Sequence, residues 1–249
     1  MTQRFRVLLI MLLTATTLIA AEKNTSFQNI DDLIAKNQLT EALPLIDKGL
    51  LQNLKDLELL MRKSRIITLQ GDQKQDEAGK VKSYEDAQEI ANQMVKLDAQ
   101  SAKGYLRRAI AKGKLILFKG ILQSRSLILE VRDDATTVLG LASASTYEKA
   151  LANYILGRAH LKLAAKPKAL RLPLGLAWAS KSKGGEFLKT AYELSPHSIS
   201  FNFDYALWLK DNDNLSLAKS ILTKMDTLDI YDPADVDHKK AAKDQLSKL

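Results

Sequence analysis

The side chains that could carry out catalysis or bind a metal are few in this chain, and their spacing does not assemble a site. The three histidines, His160, His197 and His238, lie far apart and lack the pairing or acidic companion of a helix-borne metal site. Two carboxylate pairs, Asp31–Asp32 and Asp133–Asp134, consist of adjacent residues, whose side chains point in different directions on a helix. We therefore predict no catalytic residue, no metal site and no cofactor.

The segment Asp211-Asn212-Asp213-Asn214 offers oxygen ligands at alternating positions, as the first half of a calcium loop does. It lacks the glycine and the final glutamate of that motif. A turn whose Asn or Asp caps the next helix is the favoured interpretation.

The N-terminal segment is typical of a secretory signal. Arg4 and Arg6 precede an apolar run from Val7 to Ala20, and the small residues Ala20 and Ala21 suit a signal peptidase. The run is shorter than the roughly 20 apolar residues that span a bilayer, so cleavage is favoured over a retained anchor. We predict a signal over residues 1–21, a repeat domain over residues 22–249, and a periplasmic or secreted location.

Cysteine is absent throughout, which excludes disulfides, thiolate catalysis and a lipid-modified cysteine. We therefore expect no stable membrane anchor after signal cleavage. The formal charge of +8 falls to +6 when Arg4 and Arg6 leave with the signal. The remaining cations are scattered along the sequence and do not alternate with aromatic residues, so nucleic-acid binding is not expected.

The elements that must position any site are helices arranged in repeats. Apolar residues at helical spacing flank the polar turn Lys36-Asn37-Gln38, and Ala42 follows where two helices of a hairpin would cross. The same order returns around the turn at residues 211–214, where Ala218 is the counterpart of Ala42. The pattern predicts an all-α, tetratricopeptide-like superhelix of about five helical hairpins, right-handed, with a final helix over residues 234–246.

Two stretches interrupt the period. Residues 71–82 are polar and contain two glycines, which predicts a solvated loop. Residues 166–182 combine two prolines with several large apolar side chains, so this loop must dock on something.

The strongest apolar stretch runs from Leu115 to Val131, and it predicts a helix. This helix is either core or the wall of a groove for a partner or apolar ligand, and periodicity does not separate the two. We expect the loop from Leu170 to Trp178 to fold over it. The predicted ligand or partner surface consists of Leu115, Phe118, Leu122, Leu174 and Trp178.

Four segments occur in an order that resembles the regulator of microtubule dynamics family and its bacterial relatives. They are Gly113-Lys114-Leu115-Ile116-Leu117-Phe118-Lys119-Gly120, Tyr154-Ile155-Leu156-Gly157-Arg158, Leu172-Pro173-Leu174-Gly175 and Ala191-Tyr192-Glu193-Leu194-Ser195-Pro196. The resemblance covers roughly residues 83–225 and implies a tetratricopeptide-like superhelix with a binding role. The microtubule association of eukaryotic members is not carried over, because an exported bacterial protein would not meet that partner. The chain departs from the family where Ala159 and His160 stand, since relatives often place a tryptophan there.

The chain is also distantly similar to exported tetratricopeptide lipoproteins of tripartite transporters, which hold apolar ligands, although the anchoring cysteine is missing. Our first hypothesis is a non-enzymatic exported scaffold that binds an unidentified protein partner. The alternative is a periplasmic carrier of an apolar small molecule, either free or associated with a transporter.

Overall fold

A computed structural model describes residues 27–249, so the predicted signal over residues 1–21 lies outside the described residues. Within that range the regular structure is helical and includes no β-strand, which confirms the all-α class. The helices are α1 (residues 27–35), α2 (Leu39–Gln52), α3 (Leu57–Gln73), α4 (Glu77–Leu97), α5 (Ala102–Leu115), α6 (Arg125–Gly140), α7 (Thr146–Ala164), α8 (Lys168–Arg171), α9 (Lys181–Leu194), α10 (Ile199–Lys210), α11 (Leu215–Lys224) and α12 (Ala234–Leu246).

Five helical hairpins follow one another and confirm the predicted repeats. They pair α1 with α2, α3 with α4, α5 with α6, α7 with α9, and α10 with α11. Helix α12 packs on α10 and α11 and ends the array, over the range expected from the sequence. Each hairpin buries one face of its helices against its neighbours, as in a tetratricopeptide-like superhelix.

The first and last hairpins have turns of the same conformation. Asn37 and Asp213 both adopt a left-handed backbone with φ of 61°, which Asn and Asp tolerate better than most residues. Each turn is followed by a fully buried alanine, Ala42 in one hairpin and Ala218 in the other. The small side chain at these two positions lets the paired helices cross closely, as predicted.

The stretch at residues 71–82 is not the predicted solvated loop. Helix α3 continues to Gln73 and α4 begins at Glu77, where the Asp76 carboxylate accepts a hydrogen bond from the Gly79 amide at 2.6 Å. A Cβ atom on Gly71 would lie 2.8 Å from Cε1 of Tyr84. Gly71 therefore permits close packing between two helices and does not break one.

The apolar stretch from Leu115 to Val131 is also not one helix. Helix α5 ends at Leu115, a short 3-10 turn spans Ile116–Phe118, and α6 starts at Arg125. Gly120 lies in the intervening turn, which is closed by a hydrogen bond from the Ser124 amide to the Gly120 carbonyl at 3.0 Å. The connection contains apolar residues such as Ile116 and Ile121, which pack against the loop that follows α7. Its composition is therefore similar to that of a continuous buried helix.

The first helices of successive hairpins form one face of the array. Helix α3 contacts α5, and α5 contacts α7. The connection between α11 and α12 returns to this face and reaches α3, so the array curves toward its first helices. Within residues 27–249, no helix combines the length and apolar character needed to span a bilayer.

Candidate functional site: the groove along the first helices

The first helices α3, α5 and α7 lie side by side, and α10 joins them where Phe201 stacks on Tyr147. Their common surface is here called the groove, and an extended segment of the same chain lies against it. This segment, residues 228–233, is here called the strap, and it joins the 3-10 turn Met225–Thr227 to α12. The Nη2 atom of Arg65 donates hydrogen bonds to the Tyr231 carbonyl oxygen at 2.7 Å and to the Asp232 carboxylate at 3.1 Å. One cation of the groove thus binds both a peptide carbonyl and an acidic side chain.

The floor of the groove carries a second, fully enclosed cation. The guanidinium of Arg107 donates to the Ser64 carbonyl at 3.1 Å and to the Thr68 hydroxyl at 2.8 Å. Burial lowers the pKa of Arg107 to about 10, and the neighbouring charge of Arg65 acts in the same direction. Arg107 remains protonated at neutral pH, so the groove floor presents positive charge without a directly paired carboxylate in the described residues.

The shape of the strap is fixed by groups that follow it in the chain. The buried Asp235 carboxylate accepts hydrogen bonds from the amides of Tyr231 and Asp232, at 3.0 and 2.9 Å. Lys239 donates to the carbonyl oxygens of Asp226 and Leu228. These bonds hold the strap as a defined loop, which presents Asp232 to Arg65.

Ser200, His238 and Asp235 meet beside the strap, and their residue types are those of a hydrolytic triad. The Ser200 hydroxyl lies 3.3 Å from Nδ1 of His238 and 3.5 Å from the Asp235 carboxylate. In a triad the carboxylate orients the histidine, whereas Asp235 is engaged by two backbone amides of the strap. The arrangement therefore positions the strap and does not activate a nucleophile.

An aromatic side chain remains open to solvent in the groove. Tyr147, at the start of α7, is 57% exposed, and its ring stacks on that of Phe201 with 6.3 Å between centroids. Arg65, Arg107, Asp232 and Asp235 are all near enough to act electrostatically on its hydroxyl. The groove thus combines cations with an accessible aromatic surface, a combination common in protein interfaces.

The structure divides the surface predicted from the sequence. Leu115 is buried at the end of α5, and Phe118 stacks on Tyr84 of α4 with 6.0 Å between centroids. Leu174 and Trp178 belong to a separate apolar cluster, and Leu122 is 70% exposed. The five residues are therefore not all members of one apolar cluster.

The prediction that the loop after α7 docks on the apolar stretch agrees with the structure. Leu176 and Ala179 of this loop, residues 165–180, form a cluster with Ile128 of α6 and Leu163 of α7. Leu174 and Trp178 pack at its margin, beside Ile116, Ile121 and Leu129. Leu176 is fully buried within this cluster.

Arg171 organises the 165–180 loop from inside. Its guanidinium donates to three backbone carbonyls, those of Lys166 at 3.0 Å, Ala179 at 2.9 Å and Leu176 at 3.4 Å. The side chain is buried, so these carbonyls receive a charged donor in place of water. A buried arginine thus replaces the regular secondary structure that the prolines prevent.

His160 and Trp178 join the loop to the helices beneath it. Their rings meet edge to face with 4.8 Å between centroids, and Nδ1 of His160 accepts a hydrogen bond from the Ser180 amide at 3.2 Å. Burial lowers the pKa of His160, and Lys183 adds to the effect. Neutral His160 therefore occupies the place where a tryptophan was expected in relatives, and it has a packing role.

Sequence reasoning missed the residues that build the groove. Arg65 and Asp232 are separated by 167 positions, and neither stands in a recognisable motif. The one local signal was the run Tyr231-Asp232-Pro233, which indicates a turn and says nothing of its contact with α3.

Comparison with known proteins bears on the family and the fold. The model of the family described as regulator of microtubule dynamics protein 1-3 matches residues 26–249. The chain belongs to this family. A search of the curated proteins finds no match.

Among solved structures, this family member is similar to TTC0263, a thermophilic TPR protein in Thermus thermophilus. The TM-score is 0.62 at 18% sequence identity, and the alignment covers 90% of this chain and 98% of that one. MamA from Desulfovibrio magneticus RS-1 aligns over 86% of this chain and 94% of its own at 17% identity, with a TM-score of 0.43. The likeness to TTC0263 confirms the tetratricopeptide-like fold.

Proposed function

We propose that this protein is a non-enzymatic, exported scaffold whose groove binds an extended, acidic segment of a partner protein. The observation that carries the proposal is the strap. The groove holds residues 228–233 through a peptide carbonyl and a carboxylate, two groups that a partner segment would also offer. Repeat arrays commonly use such an inner surface for binding.

The charges of the groove favour an acidic segment. Within residues 27–249, Arg65 has one carboxylate partner, Asp232, and Arg107 contributes a further buried positive charge. The pair of Arg65 and Asp232 is partly exposed, with side-chain exposures of 24% and 35%, so its net stabilisation is about 1 kcal/mol or less. A partner segment that supplies its own carboxylate and carbonyl can therefore replace the contacts of the strap with Arg65 at small cost.

The alternative function, a carrier of an apolar molecule, depends on space beneath the 165–180 loop. Leu176 and Ala179 fill that place. A carrier would require the loop to open as a lid, and native mass spectrometry of purified protein would then detect a retained ligand. Detection of one apolar species at fixed stoichiometry would favour the carrier over the scaffold.

Site-specific photocrosslinking in the native host tests the scaffold proposal. A photoreactive amino acid replaces Tyr147, which is exposed in the groove, and a matched variant carries it at Leu51, which is 83% exposed outside the groove. We expect a discrete protein adduct at position 147 that is absent at position 51. The adduct should be competed by a synthetic peptide of residues 228–235. Equal adducts at both positions, or none at position 147, would reject the groove as the binding surface.

Export is tested separately. Intact mass of the purified chain, together with cell fractionation, should give a periplasmic or secreted protein that begins after Ala20 or Ala21. A chain that keeps Met1 and stays with the inner membrane would reject the cleaved signal.

A further inference from the structure

Four leucines with exposed side chains lie on two neighbouring connections at the middle of the array. Leu117 and Leu122 belong to the connection between α5 and α6, and they are 63% and 70% exposed. Leu170 and Leu172 belong to the 165–180 loop, and they are 53% and 55% exposed. Most of the other leucines in residues 27–249 are buried or partly buried, so this grouping requires a reason.

The two connections are in contact and form one edge of the protein. Ile116 and Ile121 of the first connection pack on the same cluster as Leu174 of the second. The Nε atom of Arg125 donates to the Leu174 carbonyl at 2.8 Å. Leu117, Leu122 and Leu172 stand within two residues of these contacts, and Leu170 lies two residues before Leu172, so the four are placed at this edge.

The same edge concentrates positive charge. Residues 115–129 and 159–185 contain eight Lys or Arg and no Asp or Glu. The formal net charge of these two stretches together is therefore +8, the same as that of the whole chain. In residues 115–129 and 159–180, five cations are exposed and make no ion pair with residues 27–249: Lys119, Arg125, Lys162, Lys166 and Lys168. We call these five cations and the four leucines the leucine edge.

We propose that the leucine edge docks on the surface of an anionic lipid bilayer. Its leucines enter the boundary between headgroups and acyl chains, and its cations lie among the lipid phosphates. Shallow apolar insertion and basic attraction are each weak alone and act together in peripheral membrane binding. This inference is independent of the proposed groove function.

The composition of the edge favours lipid over an acidic protein. Protein interfaces are enriched in aromatic residues and depleted of lysine, whereas four of the five cations here are lysines. The nearby aromatic side chains are turned inward, Phe118 onto Tyr84 and Trp178 onto His160. Flexible lysines and separate leucines on short turns suit a fluid surface that adapts to them.

Vesicle binding tests the proposal. The chain from residue 22 is used, because its four apolar clusters are built within residues 27–249 and the run from Val7 to Ala20 would bind lipid by itself. Phosphatidylglycerol-rich vesicles are compared with pure phosphatidylcholine vesicles in a sedimentation assay. We expect binding to the first that weakens with salt, and binding at least roughly tenfold weaker to the second.

Two double variants and two matched controls locate the surface. Lys166→Gln with Lys168→Gln, and Leu170→Ser with Leu172→Ser, should each reduce the partition coefficient by roughly tenfold or more. Lys219→Gln with Lys224→Gln, and Leu51→Ser with Leu54→Ser, remove equally exposed groups elsewhere and should leave it unchanged. Equal losses in variants and controls would overturn the proposal.

A reporter at the edge gives an answer that does not depend on affinity. The chain has no cysteine, so Leu122→Cys provides a single site for an environment-sensitive dye, with Leu51→Cys as the control. Anionic vesicles should shift the emission of the dye at position 122 to shorter wavelength and leave that at position 51 unchanged. If the dye at position 122 does not respond to anionic vesicles, the membrane proposal is wrong. If an acidic protein, and not the vesicles, shifts the emission of that dye, the edge is a protein interface and the membrane proposal is again wrong.

Discussion

The groove and the leucine edge differ in whether their side chains have partners within the protein. In the groove, Arg65 forms an ion pair with Asp232, and the Asp235 carboxylate accepts hydrogen bonds from two amides. At the leucine edge, four leucines are more than half exposed and five cations have no carboxylate within the described residues. To bind a partner, the groove must exchange the strap for the partner segment, whereas the leucine edge is already exposed. The groove is therefore suited to a selective partner, and the leucine edge to a surface of general chemistry.

The largest expected effect is at the arginine that shapes the leucine edge. Arg171→Ala leaves the carbonyls of Lys166, Leu176 and Ala179 without their charged donor, so we expect a loss of about 3 kcal/mol in the free energy of unfolding. Urea denaturation measures it. Lys168→Ala, three residues earlier and exposed, should change stability by less than about 0.5 kcal/mol. Similar losses in both variants would show that the loop does not depend on Arg171.

Trp178→Ala is expected to have the next largest effect. Its ring is half-buried between His160 and Arg132, so we expect a loss of about 2 kcal/mol, below that of a fully buried tryptophan. Thermal and urea unfolding measure the loss. A change in ligand retention at unchanged stability would instead identify the 165–180 loop as a lid and support the carrier.

Arg65→Ala should hardly affect stability, with a loss of about 1 kcal/mol or less, because its ion pair is partly exposed. Its effect should be local. Hydrogen exchange at the amides of residues 228–233 should become faster, because one end of the strap loses its attachment. Lys63→Ala removes a comparable ion pair with Asp47 from the same helix and should leave the strap unchanged.

The smallest effect concerns pH. Burial lowers the pKa of His160 in the folded protein, so the unfolded chain binds the proton more readily. Stability from this residue is complete above the unfolded pKa of roughly 6.5 and declines as pH falls from there toward the lower folded value. Thermal midpoints at neutral and mildly acidic pH measure the decline. His160→Gln should reduce it, whereas exposed His197→Gln should not.

The comparison also shows what the sequence can predict. The repeats were predictable because each hairpin is specified by residues close together in the sequence. The turn residue and the buried alanine of the next helix are only five positions apart, Asn37 with Ala42 and Asp213 with Ala218. Docking of the 165–180 loop was predictable as well, since its leucines and Trp178 are too apolar to stay in water.

Two kinds of feature could not be predicted. The break at Gly120 was hidden because buried connections and buried helices have similar composition. The groove was hidden because Arg65 and Asp232 meet only through the summed curvature of all the intervening repeats. Local sequence patterns do not report that curvature. The turn at Tyr231-Asp232-Pro233 therefore had a signal in the sequence, whereas its contact with Arg65 had none.

The strap also sets an order of folding events. Under the proposed export, the first helices leave the membrane well before residue 232, and repeat proteins can fold hairpin by hairpin. The groove along α3 and α5 would then exist for a time without its internal occupant. The emerging chain would be more open to other extended segments than the finished protein, until the last tenth of the polypeptide arrives.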